Sequence, residues 1–73
     1  MSETMTIEEF TQAFYQDCVW SYGPQPMTLD DARYNLRELR AEGYPVPKDI
    51  TPRRYALLWN LLYLHDMREV ATV

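Results

Sequence analysis

Apolar residues recur at helical spacing in three stretches of this chain, each opened by a threonine and parted from the next by prolines. In the first, Thr6 and Glu9 make a T-x-x-E capping box, so a helix is predicted to begin at Ile7. At 100° per residue Ile7, Phe10, Phe14 and Cys18 fall on one arc of about 80°, with Glu8, Gln12 and Gln16 away from it. Gly23-Pro24-Gln25-Pro26 then supplies a permissive residue and two prolines that cannot continue a helix. In the second stretch Thr28 is followed by Asp31, a weaker capping box, and Leu29, Ala32, Leu36 and Leu39 form the apolar seam. Gly43 reads as a left-handed C-terminal cap, with Tyr44 folding back on Leu39 as in a Schellman motif. The third stretch opens on Thr51-Pro52, a cap followed by proline at the first helical position.

From Tyr55 to Met67 the apolar residues go almost all the way round, with Tyr55, Trp59 and Leu62 on one side and Leu57, Leu61 and Leu64 on the other. A helix apolar on every side is buried, which predicts a central helix between two neighbours; the alternative is a surface left open for a partner. No alternating strand pattern and no repeat interrupts this reading. The expectation is one all-α domain over residues 1–73: a compact three-helix fold with proline-containing connections and a flexible stretch at residues 1–5. The helices are expected over about 7–20, 29–42 and 52–68, around a core of Ile7, Phe10, Phe14, Leu36, Leu39, Leu58, Trp59 and Leu62.

Composition narrows the function. The chain has 73 residues and a formal net charge of −4, which removes the attraction that drives most nucleic-acid and anionic-membrane binding. The acidity belongs to the first third: residues 1–26 hold Glu3, Glu8, Glu9 and Asp17 and no lysine or arginine. One cysteine and one histidine give no internal disulfide and too few ligands for a zinc site, so neither metal nor cofactor is expected. No apolar run is long enough for a membrane span and MSETMTIEEF lacks the features of a signal peptide, so a cytoplasmic location is expected.

Catalytic candidates are few. Cys18 lies on the apolar arc of the first helix, where burial keeps a thiol protonated and inert. His65 and Asp66 are neighbours in sequence and point about 100° apart on a helix, a poor arrangement for a base and its orienting acid. Glu8-Glu9 and Asp30-Asp31 each sit in a first helical turn, where the helix dipole accounts for them. Arg33, Arg37 and Arg40 share a face of the second helix, yet Asp30 is three residues from Arg33 and the connection to the third helix is too long for a DNA-reading helix-turn-helix. No enzyme, small-molecule substrate or direct nucleic-acid partner is expected.

What remains is surface for another protein. Aromatics make up 14% of the chain, and tyrosine and tryptophan dominate interface hot spots. Glu8, Glu9 and Asp17 with Tyr15, Trp20 and Tyr22 are the predicted partner-binding residues, an acidic aromatic face suited to a basic segment. Arg53 and Arg54 join them because two cations in a first helical turn oppose the dipole; they either pair with the acidic first helix or meet an acidic patch on a partner.

Taken over the whole chain, with TIEEFTQAFYQDCVWSYGPQP as the stretch that suggests it, the protein resembles the small RNA polymerase-binding transcription regulators of lytic Xanthomonas phages. That resemblance implies attachment to host RNA polymerase near the N-terminus of its β′ subunit, inhibition of initiation by hindering the sigma factor, and antitermination, all in the host cytoplasm. An inhibitor of a host defence system, such as an anti-CRISPR, and a small DNA-binding regulator are the alternatives.

Overall fold

The computed structural model describes residues 5–71 and contains three helices: α1 (Ile7–Tyr22), α2 (Leu29–Ala41) and α3 (Pro52–Ala71). The expected flexibility of residues 1–5 falls on residues 1–4, which lie outside the described residues, and on Met5, which is exposed. Each helix starts where its threonine satisfies the free amides of the first turn. Thr6 Oγ1 accepts from Glu9 N–H at 3.1 Å while Glu9 Oε1 accepts from Thr6 N–H at 3.0 Å, and Thr28 and Asp31 repeat the exchange at 3.1 and 3.3 Å. Thr51 Oγ1 accepts from Arg54 N–H at 3.2 Å. At the end of α2 Gly43 takes φ +85°, Tyr44 N–H donates to Leu39 C=O at 3.0 Å and Gly43 N–H to Arg40 C=O at 3.1 Å, a complete Schellman closure.

α1 and α2 each pack against α3 and make no close approach to one another. A chain of rings runs through the core from the exposed Tyr44 and the half-buried Phe14 inward. Tyr44, Phe14, Phe10, Tyr55, Trp59 and Tyr15 follow one another with centroid separations of 5.6, 4.8, 5.9, 5.8 and 5.2 Å, tilted or edge-on throughout. Such pairs each add about 0.5–1.5 kcal/mol beyond the area they bury. Ala32 and Leu36 from α2, with Met27 and Ile50 from the connections, close the other side.

Two expectations are corrected here. Tyr15, predicted on a partner-binding surface, is 3% exposed. The buried face of α1 runs past the predicted arc to include Thr11 and Tyr15, because both hydroxyls find acceptors: Thr11 Oγ1 donates to Ile7 C=O at 2.8 Å and Tyr15 Oη to Asp66 Oδ2 of α3 at 2.7 Å. The second correction concerns α3. It is central, yet two neighbours do not cover its circumference, and Leu57, Leu61 and Leu64 remain 54%, 53% and 59% exposed. Of the predicted core, Phe10, Leu36 and Trp59 are fully buried; Ile7, Phe14, Leu39 and Leu62 pack against them half-buried, and Leu58 is half-buried at the edge.

The connection between α1 and α2 is tied to α3. The Asn60 side-chain amide accepts from Met27 N–H at 2.8 Å and donates to Met27 C=O at 2.9 Å, while Trp59 Nε1–H donates to Gln25 C=O at 2.8 Å. These bonds satisfy backbone groups that the prolines leave without a helical or sheet partner.

The two buried tyrosines behave oppositely on losing a hydroxyl. Tyr15→Phe removes a bond to a carboxylate and is expected to cost about 1–2 kcal/mol in a chemical melt. Tyr55 is fully buried with no hydrogen-bond partner for its hydroxyl among the described residues, so Tyr55→Phe is expected to be neutral or to stabilise by up to about 1 kcal/mol. A destabilising Tyr55→Phe would mean that the hydroxyl is bonded. Burial, reinforced by Asp66 for Tyr15 and by nearby Cys18 for Tyr55, raises both phenol pKa values above the usual 10.0. Above about pH 10 the unfolded chain therefore releases protons that the folded chain keeps, so stability falls as pH rises. Thermal melts between about pH 9 and 11 are expected to show that fall, and the Tyr15→Phe/Tyr55→Phe double variant a shallower one.

Candidate functional site

The eight residues predicted to meet a partner do not form one face. On the α1 wheel Glu9, Ala13, Gln16 and Trp20 share an outward line within about 60°, with Asp17 beside it. Trp20 is 91% exposed. Glu9 and Trp20 stand about 16 Å apart along the axis, with the polar or small side chains of Ala13 and Gln16 between them. This outer row has Glu9 at one end and Trp20, with Asp17 one turn before it, at the other.

Glu8 lies on the opposite flank, toward α3, and pairs with Arg54 at 3.1 Å. Its carboxyl is held below the usual carboxylate range first by its own backbone amide and then by that guanidinium. The pairing fulfils one of the two roles predicted for the Arg53-Arg54 pair, and only for Arg54. Arg53 is exposed on the outer side of α3 with no ion pair among the described residues. Tyr22, 78% exposed, projects from the last turn of α1 onto the rim of a depression of about 250 Å³ between α1 and the proline connection. Tyr15 belongs to the core.

Cys18 lies in the wall of that depression with Met27, Asp31 and Trp59. Burial, and secondarily Asp17, push the Cys18 thiol above its usual pKa, so it is held as the less nucleophilic thiol. Asp31 is engaged in the α2 cap. His65 faces Glu69 at 3.3 Å whereas Asp66 accepts from Tyr15, so the two neighbours address different partners and form no dyad. Arg33 pairs with Asp30 at 3.3 Å on exposed α2. Among the described residues no three His, Cys, Asp or Glu side chains gather as metal ligands, and no helix is long and apolar enough to cross a membrane.

No family model, curated protein or solved structure matches this chain. Sequence reasoning missed the pair Trp59-Asn60 as the anchor of the α1–α2 connection. The available signal was an asparagine inside an otherwise apolar helix, a residue that needs partners when half-buried.

Asn60→Ala strips Met27 of both backbone partners. It is expected to lower stability by about 1–2 kcal/mol and to speed hydrogen exchange at the Met27 amide by about tenfold or more over exchange in α2. Equal acceleration at every amide would show a global loss of stability without a local clamp.

Proposed function

We propose that this protein is a non-catalytic regulator that docks on a larger protein through the outer row of α1. A tryptophan left 91% exposed beside Asp17, at the far end of the row that Glu9 begins and on a helix whose other side packs on the core, carries the reading. Burying an indole is among the larger gains available at an interface, and the flanking carboxylates favour a basic segment on the partner. Tyr22 extends the aromatic surface around the end of the helix.

Bacterial RNA polymerase is the partner that the sequence resemblance implies, with the region near the N-terminus of β′ as the docking point and interference with sigma-dependent initiation and with termination as the outcome. The acidic row supports such a contact with a basic surface, and equally supports binding to a defence effector as an anti-CRISPR. The arginines of α2 favour the DNA-binding alternative less, since Arg33 is already paired with Asp30.

Capture of purified host polymerase on the immobilised protein tests this reading. The wild-type chain is expected to retain polymerase in a salt-sensitive manner, and Trp20→Ala to weaken retention about tenfold or more while leaving the melting temperature unchanged. Glu9→Lys/Asp17→Lys is expected to act mainly on the association rate. Polymerase that is not retained removes it as the partner, and retention indifferent to all three substitutions moves the docking face off α1.

A further inference from the structure

α3 carries a second unpartnered surface, of opposite character. Arg53, Leu57, Leu61, Leu64 and Arg68 fall within about 80° of one another on the helix wheel, forming a single outward row. The three leucines are each more than half exposed and Met67 borders them at 41%. Their spacing, i, i+4 and i+7, is the seam by which one helix receives another. The ends of the row are cationic. Arg53 and Arg68 are exposed and have no ion pair among the described residues, and they stand about 22 Å apart along the axis.

At the N-terminal end the row widens into a shallow depression of about 590 Å³ between α2 and α3, lined by Leu29, Thr51, Arg53, Arg54, Ala56 and Leu57. Its floor is apolar and its rim holds two guanidiniums at the positive end of the α3 dipole. Arg54 already answers Glu8, whereas Arg53 opposes the dipole with no ion pair among the described residues to offset it. A negatively charged group brought from outside removes that conflict.

We propose that this face receives an acidic amphipathic helix from a partner protein, leucine-like side chains against Leu57, Leu61 and Leu64 and a carboxylate toward each of Arg53 and Arg68. The charges at the two ends decide between this occupant and a second copy of the chain. Antiparallel self-pairing over the full row sets Arg53 against Arg68 of the other copy, and parallel self-pairing sets each arginine against its own equivalent. Both juxtapose like charges, which is destabilising at a helix–helix seam. A helix with acids flanking its apolar row satisfies both ends at once. The face is separate from the Glu9–Trp20 row, so the protein has one acidic and one basic docking surface, a geometry that lets it bridge two segments.

A designed peptide tests the proposal directly: a capped 21-residue alanine- and glutamine-based helix with four leucines at i, i+4, i+7 and i+11 and two glutamates at each end, beside a twin with lysines for the glutamates. Titrated into the isotope-labelled protein, the glutamate peptide is expected to shift amide resonances of residues 53–68 and to bind at least about tenfold tighter than its twin, with the difference shrinking as salt rises. Leu61→Asp is expected to abolish binding with helix content retained. Arg53→Glu/Arg68→Glu is expected to reverse the preference in favour of the lysine peptide, which keeps the test decisive if Leu61→Asp fails to fold. Trp20→Ala is expected to leave peptide binding unchanged, so that this result stands apart from the α1 reading. No shift at about 1 mM peptide, equal binding of both peptides, shifts centred on α1, binding only to vesicles containing anionic lipid, or self-association of the free protein through these leucines would each overturn the proposal.

Discussion

Because α1 and α2 make no close approach to one another, α3 is the one helix against which each of them buries a face. Two flanking helices leave part of its circumference to solvent, and the length of apolar sequence between Tyr55 and Met67 exceeds what they can cover. The rest of the molecule follows from that arrangement. Tyr55 and Trp59 become the middle of the ring core, Asn60 becomes the anchor for the connection that joins the two outer helices, and Leu57, Leu61 and Leu64 are left facing outward.

A domain of this size buries a modest fraction of its surface, so geometry has to come from directed contacts as well as from area. Here polar bonds that span large sequence separations fix different parts of the chain. Tyr15 to Asp66 sets the rotation of α1 on α3, and the bonds from Asn60 to Met27 and from Trp59 to Gln25 set the path between α1 and α2. With that path fixed, Trp20 and Tyr22 are held outward at the end of a helix whose inner side is already committed.

The parts of this fold legible in the sequence were those governed by neighbours within a few residues. Thr6 with Glu9, Thr28 with Asp31, Thr51 with Pro52 and Gly43 with Tyr44 signal their helix ends through local hydrogen bonds, and the structure makes those bonds. The burial of Tyr15 is not legible in the sequence, because it depends on an acceptor 51 residues away, which no periodicity argument contains. Glu8, Glu9, Tyr15, Asp17, Trp20 and Tyr22 read as one acidic aromatic face because charge and aromaticity are visible in sequence, whereas the rotation of α1 that separates Glu8 from Glu9 is set only by docking on α3. The all-round apolarity of α3 is plain in the sequence, but whether such a helix is enclosed depends on how many neighbours reach it.

The absence of a close α1–α2 interface also governs the order in which this chain can acquire structure. Synthesis produces α1 and α2 first, and two helices whose backbones make no close approach have little to hold them together: each is too short to persist by itself in water. Their apolar faces wait for α3, the last of the three to emerge, so the domain cannot assemble element by element behind the ribosome. It condenses in one late step, once both of the earlier helices have the same strip of chain to fold against.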